Sequence, residues 1–266
     1  MNMRRLPLDP AVTALVRVLL AVTAVFLLAP ALLVFVLSFS DESFVRFPPR
    51  EWGLRQYSTL FSSQEWLDAI WMSVKIAVPS ALLAVAIGLP ATFAMYRTRL
   101  PGGDLLRFLS LSSLLIPISA FGVGLFGVFA QLGLTATYLG IVIAHTVLAV
   151  PLVIVVLTTA IARIPPELEL IAMTLGASRL RASTGITLRL LAPAVAAALL
   201  FAFITSFDEA VLITFLGGPG LVTVPKAIFD SVRYGVDAVI TAIAALTFIV
   251  SALIALLTVR LNPRGK

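Results

Sequence analysis

Few side chains in this sequence could do covalent or acid–base chemistry. There is no cysteine and one histidine, His145. That excludes disulfides and thiolates, and it leaves no His/Cys set for a metal. No Gly-x-x-x-x-Gly-Lys-Ser/Thr stretch occurs, so the chain carries no phosphate loop for a nucleotide. An enzyme site needs a convergent nucleophile and base or a metal; no catalytic residue and no metal site is therefore expected. Two groups of polar residues remain. Ser206, Asp208 and Glu209 interrupt a long apolar stretch, and Glu167 and Glu169 open a short segment that runs to Gly176.

The elements around these residues must be membrane helices. Of the 266 residues 60% are hydrophobic and 12% charged, and the mean hydropathy is +1.09. A soluble domain carries about 25% charged residues. The apolar residues form runs long enough to span a bilayer as helices, without the in–out alternation of a membrane barrel. Six spans are expected, at Val12–Ser38, Asp68–Tyr96, Phe108–Ala130, Tyr138–Ala160, Leu190–Leu216 and Ala238–Arg260. The expectation is an all-α membrane protein forming one transmembrane domain over residues 1–266. The first apolar stretch is longer than the roughly 7–15 residues of a signal peptide core, so it is expected to remain as a helix.

The net charge of +6 could suggest nucleic acid, but the basic residues lie between apolar runs rather than in one patch. Arg4, Arg5, Arg97, Arg99, Arg107, Arg163, Arg179, Arg181, Arg189, Arg260, Arg264 and Lys266 fall on one side of the expected spans, and Arg46, Arg50, Arg55, Lys226 and Arg233 on the other. Lysine and arginine collect on the cytoplasmic side; both termini are thus expected in the cytoplasm. Trp52, Trp66 and Trp71 cluster around the first outer loop, where an interfacial belt belongs. That loop, Phe39–Leu67, has room for a short interfacial helix. Prolines lie within most spans, and Gly122, Gly124 and Gly127 in the third should allow close helix approach.

The inner loop Ile161–Arg189 is too long for a turn. Pro165 and Pro166 precede Glu167 and Glu169, an acidic first turn after proline, and Gly176 can stop the helix in a left-handed conformation. Such a helix must pack on another protein or on lipid. In the membrane, a carboxylate at Asp208 or Glu209 is costly unless it faces a cavity or a partner. Either residue could line a path for a cationic substrate, or serve a gating or helix contact with Lys75 or backbone amides. Adjacent residues on a helix point about 100° apart, so at most one of them lines a path. His145 is expected to hydrogen-bond across helices.

Leu168–Ser178 resembles the cytoplasmic loop of binding-protein-dependent ABC importer permeases. That family's pattern is Glu-Ala-Ala, three residues, Gly, nine residues, then Ile, one residue, Leu-Pro. Gly176 here is followed by nine residues and Ile186-Thr187-Leu188. Ala172 is retained; Leu170 and Ile171 replace the motif's Glu and first Ala, Glu169 lies one residue earlier, and Arg189 replaces the proline. Ser206-Phe207-Asp208-Glu209, with Gly217-Gly218-Pro219-Gly220 and Val224-Pro225, is similar to spermidine/putrescine-type permeases.

The resemblance implies a multi-pass subunit of a bacterial inner membrane, paired with a second permease that is either a sister chain or an identical copy. It also implies an extracytoplasmic substrate-binding protein that delivers a small solute, and a dimer of ATPase subunits that uses ATP and Mg; this chain binds no cofactor and no nucleic acid. Glu167, Glu169, Ala172, Leu175, Gly176, Ala177 and Ser178 would form a coupling helix for the ATPase. Ser206, Asp208 and Glu209 would be candidates for the substrate path, and Gly217, Gly218, Pro219 and Gly220 would face the binding protein. The implied substrate is a polyamine or related amine; the alternatives are another small solute such as an opine or amino-acid-like compound, or a secondary transporter.

Overall fold

The computed structural model describes residues 10–97, 102–234 and 237–261. Arg4, Arg5, Arg99, Arg264 and Lys266, used above for orientation, lie outside the described residues. In chain order the helices are α1 (Pro10–Leu37), α2 (Arg55–Ser62), α3 (Gln64–Arg97), α4 (Gly103–Ser112), α5 (Ile118–Leu132), α6 (Tyr138–Ile161), α7 (Glu167–Thr174), α8 (Arg179–Ala182), α9 (Leu188–Phe207), α10 (Val211–Leu216), α11 (Val224–Tyr234) and α12 (Val239–Leu261). A 3-10 turn, Ser113–Leu115, follows α4, and a π-helical turn, Ser183–Thr187, joins α8 to α9. Among the described residues the remaining regular pairing is one bridge between Ser40 and Trp52.

Among the described residues, four stretches are long and apolar enough to cross a bilayer: Ala11–Leu37, Gln64–Arg97, Tyr138–Ile161 and Arg179–Phe207. Helices suit this setting because they satisfy every backbone group internally where no water can. The span expected at Phe108–Ala130 is not one straight helix. Phe108–Leu115 and Ile118–Leu132 meet at 109°, because Pro117 lacks the N–H that would continue the ladder and pushes Ile116 into an extended conformation. The span expected at Leu190–Leu216 is also broken: α9 stops at Phe207 and α10 starts at Val211.

The chain divides into two compact units, residues 1–63 with 235–256, and residues 64–234 with 257–266. In the first unit, Phe39–Gly53 folds back through Asp41 N to Glu51 O at 3.0 Å and Gly53 N to Phe39 O at 2.8 Å. Gln56 of α2 donates its amide to Ser40 O and Glu42 O, at 3.1 and 2.7 Å, and Ser38 Oγ lies 2.7 Å from Tyr57 Oη. The short helix anticipated in this loop is α2.

The second unit is built on α3, α6 and α9. Their mutual seam is lined by Ala81, Ala84, Ala149, Val153, Leu157, Ala198 and Ala202, all buried. Small side chains let helix backbones approach, which is the main source of packing energy where lipid is as apolar as leucine. Gly88 marks the tightest point: a Cβ there would lie 2.7 Å from Val153 Cγ1. The glycines singled out from sequence behave differently. Gly122 faces Phe215, whereas a Cβ on Gly124 or Gly127 would meet nothing within 4 Å. A second cluster joins Ile76 of α3 and Ile141 and Val142 of α6 to Leu212, Ile213 and Leu216 of α10. Trp66 is buried while Trp71 is exposed, and Lys75 Nζ sits 5.1 Å above the Trp71 ring.

Candidate functional site

The first site is the segment between α6 and α9. α7 begins after Pro165 and Pro166, with Leu168 N donating to Pro165 O and Glu169 N to Pro166 O. It ends in a left-handed residue, as the glycine predicted. Gly176 has φ +92°, with Gly176 N to Met173 O and Ala177 N to Ala172 O both at 3.0 Å. This paired closure satisfies carbonyls a helix end otherwise leaves open. Ser178, grouped with α7 as part of the coupling segment, lies beyond this stop: its Oγ accepts from Arg181 N and caps α8.

Exposure divides α7 into two faces. Leu170, Ile171 and Leu175 are 55%, 56% and 83% exposed, and Glu167 and Gly176 are exposed beside them. Ala172 and Ala177 are half-buried. Glu169 alone in α7 is buried, at 8% exposure. Its carboxylate accepts from Ser183 Oγ at 2.9 Å and from Thr187 Oγ1, and lies 3.2 Å from Arg97 Nε. In the sequence, Arg97 counts only as one of the basic residues on the inner side, Thr187 only as the middle residue of Ile186-Thr187-Leu188, and Ser183 is not singled out. The available signal was an arginine placed at the end of a long apolar helix.

The second site is the break between α9 and α10. Glu209, 9% exposed, turns its Oε1 onto Val211 N at 2.5 Å and Leu212 N at 2.9 Å. It thus serves the orphan amides that open α10. That is the backbone-amide role considered as an alternative to path lining. The 100° argument does not hold here because neither acidic residue lies within a helix. Asp208 is exposed, and its carboxylate has no hydrogen-bond or ion-pair partner among the described residues. Ser206 is buried and its Oγ lies 2.8 Å from His145 Nδ1, a bond between α9 and α6 of the kind expected for that histidine. Below α10, Gly217 and Gly218 pack against Ile213 and Ala136, while Pro219 and Gly220 are exposed.

Residues 84–265 match the family model of the binding-protein-dependent transport system inner membrane component. The chain belongs to this family. It is therefore the permease of an importer and an inner-membrane protein, and this family's permeases are not themselves enzymes. The putrescine transport system permease protein of Escherichia coli K12 is 31% identical over 251 residues, covering 92% of this chain and 88% of the relative. The spermidine/putrescine transport system permease protein of the same organism is 27% identical, covering 85% of each. A permease for uptake of osmoprotective compounds from Synechocystis is 33% identical over 62% of this chain. Among solved structures, a chain of a bacterial ABC transporter involved in import of the acidic polysaccharide alginate superposes with a TM-score of 0.72. The two share 18% identity over 97% of this chain and 98% of that one, which supports the fold.

Proposed function

We propose that this chain forms half of the translocation path of an ATP-driven importer for a polyamine or a related small amine. The carrying observation for the substrate is Asp208, an exposed carboxylate without a partner among the described residues, at a break in an apolar helix. An irregular backbone at membrane depth is tolerated where it lines a water-filled cavity, and an unpaired carboxylate there attracts a cation. The relatives named for putrescine and spermidine agree with that chemistry. Glu209, committed to α10, holds the break open rather than binding solute.

In this reading the whole chain works as one permease domain. The four long helices, the bent pair and α12 provide six spans, with both termini and α7 in the cytoplasm. The exposed Leu170, Ile171 and Leu175 around Gly176 dock α7 on an ATPase subunit, which supplies the ATP and Mg chemistry. The exposed Pro219–Gly220 tip faces the binding protein, and a second permease completes the path. Proteoliposomes holding the complete complex test this directly. Putrescine uptake should require ATP and exceed uptake of uncharged butane-1,4-diol by about tenfold or more, the scale of one charged hydrogen bond. Equal uptake of the diol would refute the amine assignment, and uptake without ATP the mechanism.

A further inference from the structure

Glu169 differs from the rest of α7 in that its charge is turned inward and fully used. Arg97, its ion-pair partner, ends α3 and also donates Nη2 to Ile164 O, at 2.8 Å, just beyond α6. The carbonyl of Arg97 in turn accepts from Arg179 Nη2 at 2.9 Å, at the start of α8. Ser183 and Thr187, the two hydroxyl donors to Glu169, are the first and last residues of the π-helical turn below α9. Such turns are rare and occur frequently at functional sites. Through two residues, α7 is thus fastened to α3, to the exit of α6, and to both ends of the turn that leads into α9.

Burial determines what this fastening can transmit. A solvent-facing pair trades its partner for water at little cost, whereas a pair screened from water keeps its geometry because separation strands both charges. The side chains of Arg97 and Glu169 are 12% and 10% exposed. We propose that Arg97 and Glu169 are positioning residues that make α7 a rigid extension of α3 and α9, so that displacement of α7 becomes displacement of the bundle. This rests on α7 being the helix that docks on the ATPase. Glu169 itself touches neither ATPase nor solute. A pair that only stabilised the fold would change the amount of complex; a pair that transmits motion changes the solute moved per ATP hydrolysed.

The test measures ATP hydrolysis and putrescine uptake side by side in proteoliposomes of the complete complex with its binding protein. Glu169→Gln should assemble and hydrolyse ATP while uptake per ATP falls about tenfold or more. Thr187→Val, a milder change, should move the ratio the same way, and Arg97→Glu combined with Glu169→Arg should recover part of what Arg97→Glu alone loses. An unchanged ratio in both Glu169→Gln and Thr187→Val overturns the proposal. Leu175→Asp separates this from failure of the docking assignment. If that variant keeps the ATPase bound and uptake normal, docking through α7 is wrong and the proposal falls with it. If it sheds the ATPase while Glu169→Gln keeps a normal ratio, the fastening alone is wrong.

Discussion

Replacing Gly176 separates a backbone requirement from a contact requirement, because the structure assigns each a different magnitude. The residue has φ +92°, a conformation that costs a side-chain-bearing residue roughly 1–2 kcal/mol, with asparagine penalised least. A cost of that size makes the last turn of α7 open about 5- to 30-fold more often. A Cβ built at Gly176 meets nothing within 4 Å, so alanine and tryptophan pay nearly the same backbone penalty and alanine meets no clash among the described residues. Because Leu175 and Gly176 are both exposed, a difference between them is expected from a surface supplied by another protein. Uptake by the reconstituted complex should therefore rank Gly176→Asn nearest wild type, Gly176→Ala lower by a few-fold, and Gly176→Trp abolished, with ATP hydrolysis by the tryptophan variant continuing uncoupled. Uptake by Gly176→Trp equal to that of Gly176→Ala would refute close packing of this turn against the ATPase.

The carboxylates at the α9–α10 break should part company. Asp208→Asn should raise the KM for putrescine by about tenfold or more without altering thermal unfolding, as loss of one charged contact predicts, and uptake kinetics at varied putrescine check it. Glu209→Ala should instead lower stability by about 1 kcal/mol, the usual value of a helix-capping acceptor, measured by thermal unfolding in detergent. Gly88→Ala should cost about 1–3 kcal/mol through the contact with Val153 Cγ1, and Val153→Ala in the same chain should recover most of it. Ser206→Ala removes the partner of the buried His145 Nδ1 and should cost about 1–3 kcal/mol in the same assay; an unchanged unfolding temperature would show that the bond contributes nothing.

The helices themselves could be read from the sequence because their cause is local. Long apolar runs such as Tyr138–Ile161 must be helical in lipid, and the limits of α7 follow from Pro165, Pro166 and Gly176, whose backbone chemistry acts within one turn. Tertiary structure decided which polar groups are spent and which are free. Glu167 and Glu169 look alike in sequence, yet one is exposed and the other is held by Arg97, Ser183 and Thr187. Asp208 and Glu209 are neighbours, yet the second is consumed by the amides of α10 and the first is left open. Gly88, not Gly124 or Gly127, marks a close approach between helices. In each case the deciding partner comes from how elements meet or how a broken helix is capped. Those are consequences of helix placement, which residue types and periodicity do not encode.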